Sequence, residues 1–158
     1  MTYLIIAFVI AIALAPLSHF VPSKQQRRQA RLREAAAVQG LFVEFRDLPR
    51  SAAPGAAGVR ADSLYYGLRL RPSRGRQRRR GAWLREETGE WRALADGPGH
   101  SLQARRAVPQ ALLEMPESVL AASVDEGSCG IYWREAGDLS TVAEIRRLLG
   151  DWGAQLAL

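Results

Sequence analysis

With 158 residues and 47% apolar side chains, the chain has room for one anchor and one modest domain, and this composition excludes a disordered polyelectrolyte. A single cysteine, Cys129, and two histidines exclude an intrachain disulfide and the usual zinc ligand sets. The formal charge of +6 is polarised along the chain: it is basic toward the N-terminus, whereas residues 107–158 carry eight acids against Arg134, Arg146 and Arg147.

Tyr3 to Val21 reads YLIIAFVIAIALAPLSHFV, 19 residues without a charge. At 1.5 Å per residue this would make about 28 Å of helix, close to the hydrocarbon thickness of a bilayer. The basic residues follow the apolar run instead of preceding it, so a retained anchor over residues 1–22 is expected in place of a cleaved signal. Lys24, Arg27, Arg28 and Arg31 are the expected membrane-interface residues, and with Arg33 they orient the span N-out/C-in by the positive-inside rule. Pro16 would remove one backbone hydrogen bond from the span, and His19 is expected at headgroup level near Lys24.

Residues 23–40 form a predicted basic juxtamembrane helix ending at Gly40. Its apolar side is thin (Ala30, Leu32, Ala35, Val38), which reads as a spacer and not as core. Residues 41–158 make the expected cytoplasmic domain. Leu41–Arg46 and Leu64–Leu70 are predicted strands, separated by a Gly/Pro/Ala-rich loop over 49–61. Trp83–Glu87 and Trp91–Ala95 flank Thr88-Gly89 as a hairpin, and residues 95–101 form a turn-rich loop. A short helix starts at Pro109 and stops at Pro116. Val119–Asp125 and Ile131–Glu135 read as a second hairpin around residues 126–130. The final helix, Thr141–Trp152, carries an expected Thr141/Glu144 capping box and a face of Val142, Ile145, Leu149 and Trp152. This order predicts an α+β protein: an N-terminal transmembrane helix, then a small antiparallel sheet covered by two helices.

The strongest chemical feature is the basic loop 69–81, with Arg69, Arg71, Arg74, Arg76, Arg78, Arg79 and Arg80 and no acid. Seven cations so close together attract phosphate, and for a tethered domain the first phosphates met are anionic lipid headgroups. Nucleic acid is not expected, because the flanking aromatics Tyr65, Tyr66 and Trp83 suit strand core better than base stacking. The competing reading is a solvated loop that aids solubility and topology. The chain has one lysine against 21 arginines, so the clustering is informative and the choice of Arg over Lys is not. His100 sits in turn-forming DGPGHS, and Gly127–Gly130 lacks the G-x-S-x-G pattern of a nucleophile elbow, with Cys129 expected as a semi-buried thiol. No phosphate-loop or dinucleotide fingerprint is present, so no enzyme, cofactor, metal or small-molecule substrate is expected.

The first 45 or so residues resemble the accessory preprotein-translocase subunit YajC in layout: an uncharged span, then Pro22-Ser23-Lys24-Gln25-Gln26-Arg27-Arg28-Gln29, a basic helix, and a strand after Gly40. The chain reads GLFVEFRDL where that family has G-D-x-V-x-T-x-G-G, so the resemblance implies topology and no residue-specific role. It implies a single-pass bacterial inner-membrane protein with its small domain in the cytoplasm. The expected function is a membrane-tethered, non-enzymatic interaction protein, an accessory subunit partnered by lipid and an integral membrane protein or complex. The alternative is a phosphate-surface binding module acting through residues 69–80.

Overall fold

The computed structural model describes residues 2–14, 23–49, 63–71, 80–94 and 107–156. Pro16, Ser18, His19, most of the 49–61 loop, Arg74, Arg76, Arg78, Arg79, His100 and Leu158 lie outside the described residues. The chain divides into two compact units, residues 1–31 and residues 32–158.

In the first unit, α1 (Thr2–Leu14) has the uncharged, mainly apolar sequence TYLIIAFVIAIAL. Tyr3, Leu4, Ile5, Ile6, Phe8 and Ile10 are all exposed. Thirteen residues of helix reach only about 20 Å. Among the described residues no helix is long and apolar enough to cross a membrane, so the span expected over 1–22 is represented by a shorter helix. A second helix, α2 (Lys24–Val38), opens with a capping box: the Gln26 amide donates to Ser23 Oγ at 3.1 Å, and Ser23 N donates to Gln26 Oε1 at 2.8 Å.

The second unit is an α+β sandwich built on one antiparallel sheet. Its strands are β1 (Leu41–Glu44), β2 (Leu64–Arg69), β3 (Gly81–Arg85), β4 (Trp91–Leu94), β5 (Val119–Val124) and β6 (Ser128–Trp133). Their order across the sheet is β1-β2-β6-β5-β3-β4, three hairpins side by side with the last-made one in the centre. Alternation along β2 sets the two faces. Leu64 and Tyr66 join the helix-covered core, while Tyr65 joins a separate cluster with Ala121 and Tyr132.

Helices α3 (Gln110–Leu113) and α4 (Leu139–Gln155) supply Ala111, Leu112, Val142, Ile145, Leu148, Leu149 and Trp152 to the main core. Trp83 and Trp152 meet edge to face at 5.6 Å, and Tyr66 and Trp133 at 5.1 Å. A third helix also contributes, because Leu32 and Ala36 of α2 are buried in the same cluster. The spacer reading of α2 is therefore corrected for its C-terminal half. Two apolar positions one turn apart, one large and one small, suffice when a sheet face lies within reach. Gly40, at φ +80°, ends the helix as its sequence position implies, and Arg146 Nε donates to the Gln39 carbonyl at 2.9 Å.

Two further local readings change. The cap of α4 is Asp138, whose carboxylate accepts from the Ser140 and Thr141 amides, while Thr141 Oγ1 accepts from the Asp138 amide. Thr141 is thus the third helical residue of the box and not its cap. The last hairpin is tighter than expected: Asp125 N donates to Ser128 O at 2.9 Å, and Cys129 and Gly130 belong to β6. Gly130 stands opposite Gly67, and a Cβ on Gly130 would lie 2.5 Å from Tyr65 Cζ and 2.6 Å from the Tyr66 carbonyl. The paired glycines make room for the Tyr65 ring, which explains a glycine inside a strand.

Candidate anionic-surface site

The predicted basic loop leaves from one end of the sheet. Arg69 closes β2 opposite Ser128, and Gly81 opens β3 opposite Val124, so the strand ends that bound the loop flank the β5–β6 turn. Leu70 N donates to Gly127 O at 2.8 Å, which seats the start of the loop against that turn. The turn itself is built by Asp125, whose Oδ1 accepts from the amides of Gly127 at 2.9 Å and Ser128 at 2.6 Å.

Three of the seven predicted arginines are therefore brought together at this end: Arg69, Arg71 and Arg80, all exposed. The Arg69 guanidinium lies 5.4 Å from the centre of the Phe42 ring, and Arg80 Nη2 is 3.4 Å from Glu126 Oε1. Sequence reading missed a fourth cation here. Arg46, in the segment after β1, lies over the Tyr65 ring at 4.1 Å, bonds Glu44 at 2.8 Å and approaches Asp125 at 3.7 Å. Of these four cations, Arg46 pairs with Glu44 and Asp125, and Arg80 with Glu126. Exposed pairs of this kind are worth about 0–1 kcal/mol each and yield readily to a phosphate. The remaining excess of charge belongs to Arg74, Arg76, Arg78 and Arg79, outside the described residues. Arg46 could have been suspected only from its place after a strand bearing Phe42, because its partners come from three different elements.

At the other end of the sheet, just past β6, the carboxylate of Glu135 is nearly sealed from solvent. It accepts two hydrogen bonds from Arg33, both 2.7 Å, and one from Tyr66 Oη at 2.8 Å. Burial, and then the hydrogen bond to Glu135, push the Tyr66 phenol well above its ordinary value. Glu135 itself sits at φ 56°, in the left-handed region that side chains avoid, and the three-way contact holds it there.

The predicted membrane-interface residues Lys24, Arg27, Arg28 and Arg31 are exposed along α2. The Gly127–Gly130 segment offers no accessible nucleophile: Ser128 Oγ is bonded to both oxygens of Asp125. Cys129 is fully buried, not half-buried as expected, with Sγ 3.8 Å from the Leu149 carbonyl. Among the described residues no group of three His, Cys, Asp or Glu could hold a metal ion. Comparison with protein-family models, with curated proteins and with solved structures yields no match.

Proposed function

We propose that this chain is a membrane-tethered, non-enzymatic interaction protein, an accessory subunit of a larger inner-membrane assembly, oriented N-out/C-in. The observation that carries this reading is α1, on which Tyr3, Leu4, Ile5, Ile6, Phe8 and Ile10 are all exposed. Such a surface is unstable in water and calls for lipid or protein around it. The uncharged run continues in sequence to Val21, and Lys24, Arg27, Arg28 and Arg31 follow with no acid among them. The layout resemblance to YajC favours an accessory role beside a membrane complex. The inaccessible Cys129 thiol and the occupied Ser128 hydroxyl agree with a non-catalytic domain.

Two measurements test the tether. The full chain should stay in the membrane pellet through alkaline extraction. An export-dependent phosphatase fused after Leu158 should be silent, while a reporter that works only in the cytosol should be active there. The reverse pattern rejects the topology. Crosslinking in intact cells should trap the chain on an integral membrane protein, and a chain that stays monomeric and uncrosslinked contradicts the accessory role.

The convergence of Arg69, Arg71 and Arg80 on one sheet end favours a second reading, a phosphate-surface module. Replacing Arg76, Arg78, Arg79 and Arg80 by Ser would then weaken binding of the full chain to anionic surfaces, most clearly at low salt. Unchanged binding at low salt rejects it.

A further inference from the structure

We propose that one face of α2 is a docking surface for the phosphate groups of anionic phospholipids, an inference that rests on the tether reading and names its lipid class. Lys24, Arg27, Arg28 and Arg31 stand at spacings of three, one and three, which places all four on one side of a helix. All four are exposed. Gln25, Gln26, Gln29 and Ala30 occupy the remaining circumference of this stretch, so the segment is charged on one side and neutral on the other.

This arrangement works against the helix that carries it. The first turn of α2 has no acid, and its cations sit at the positive end of the helix dipole. Like charges three and four residues apart also repel one another. The capping box of Ser23 and Gln26 holds the helix start in place despite this opposition. An anionic surface laid along the stripe relieves both penalties together. The stripe begins three residues after Val21, the last residue of the uncharged run, so headgroup phosphates are the anions it meets. An anionic lipid fits better than nucleic acid because no aromatic side chain interleaves the stripe.

The test uses the full chain reconstituted into vesicles of phosphatidylcholine and phosphatidylglycerol in equal parts, then released, with retained lipids counted by native mass spectrometry. The wild-type chain should retain phosphatidylglycerol about tenfold over phosphatidylcholine, falling as salt is raised. The combined variant Lys24→Gln, Arg27→Gln, Arg28→Gln, Arg31→Gln should fall to within about twofold of the bulk ratio. The variant Arg27→Lys, Arg28→Lys, Arg31→Lys should keep the enrichment, separating charge from disrupted folding. Equal enrichment in wild type and the Gln variant overturns the proposal, as does capture of a short single-stranded RNA without lipid enrichment. Alkaline extraction of the same samples separates the two failures. Lipid indifference in a chain that stays in the pellet overturns the docking face alone. A wild-type chain that is extracted overturns the tether and the docking face with it.

Discussion

Arg33 and Glu135, 102 positions apart in sequence, are joined by two parallel hydrogen bonds of 2.7 Å. The pair fastens α2 to the end of β6, and Tyr66 completes it from the neighbouring strand. Charge-assisted forks of this kind fix geometry as well as adding stability.

Arg33→Ala should destabilise the second unit by about 2 kcal/mol, because a carboxylate that is 3% exposed loses its counter-charge. The Arg33 side chain is 39% exposed, so water replaces part of the lost contact and holds the cost below that of a fully buried pair. Removing both partners in Arg33→Met with Glu135→Leu should cost less than Arg33→Ala alone. Urea unfolding of the full chain, followed by tryptophan fluorescence, to which Trp133 edge-on to Tyr66 contributes, gives the comparison. A double variant that is worse than Arg33→Ala refutes the pairing argument.

Gly130→Ala should cost about 3 kcal/mol or prevent folding, since its methyl group would meet the Tyr65 ring and the Tyr66 carbonyl. Combining it with Tyr65→Ala should recover little, because the backbone obstacle remains. Gly127→Ala, whose new Cβ would find only Asp125 Oδ1 at 3.9 Å, is the matched control and should leave the unfolding midpoint nearly unchanged.

Alkaline pH should weaken the fold. Tyr65, Tyr66 and Tyr132 all have phenols held above their ordinary value of 10.0, in each case chiefly by burial. Above that value the unfolded chain sheds these protons while the folded chain keeps them, so stability falls as pH rises. The urea midpoint should drop between about pH 9 and pH 11, and Tyr66→Phe should make the drop shallower. A flat profile across that window contradicts the burial argument.

The cap of α4 predicts an order among three substitutions. Asp138→Ala should lower the thermal midpoint most, Thr141→Ala less, and Glu144→Ala not at all, because Glu144 takes no part in the cap. The Asp138 carboxyl is held below its ordinary value, first by the Ser140 hydroxyl and then by the Thr141 amide. Its stabilising effect is therefore present at neutral pH and is lost as pH falls through the carboxylate range.

Where local pattern and tertiary need agree, the fold was legible. The strand-forming run LYYGLR marked β2, Thr88-Gly89 marked the β3–β4 turn, and the spacing of Val142, Ile145, Leu149 and Trp152 marked α4. It failed where distant partners decide. Ser128, Cys129 and Gly130 look like a turn, and it is their pairing with β2 on one side and β5 on the other that makes them a strand. Ala36 carries too little apolar surface to announce itself, yet it is fully buried. The clustering of arginines was readable from their positions along the chain. The pairing of Arg80 with Glu126 and of Arg46 with Asp125 was not, since both depend on where the β5–β6 turn comes to lie.

The order β1-β2-β6-β5-β3-β4 has a temporal consequence. Among the described residues, only β5 and β6 join the two earlier hairpins, and they are the last strands to leave the ribosome. Until residue 133 has emerged, each early hairpin is a two-stranded ribbon with its inner edge bare, and such ribbons are marginal in water. A nascent chain halted before Val119 therefore has no sheet to close, whereas adding the final hairpin lets the whole layer snap shut in one cooperative step.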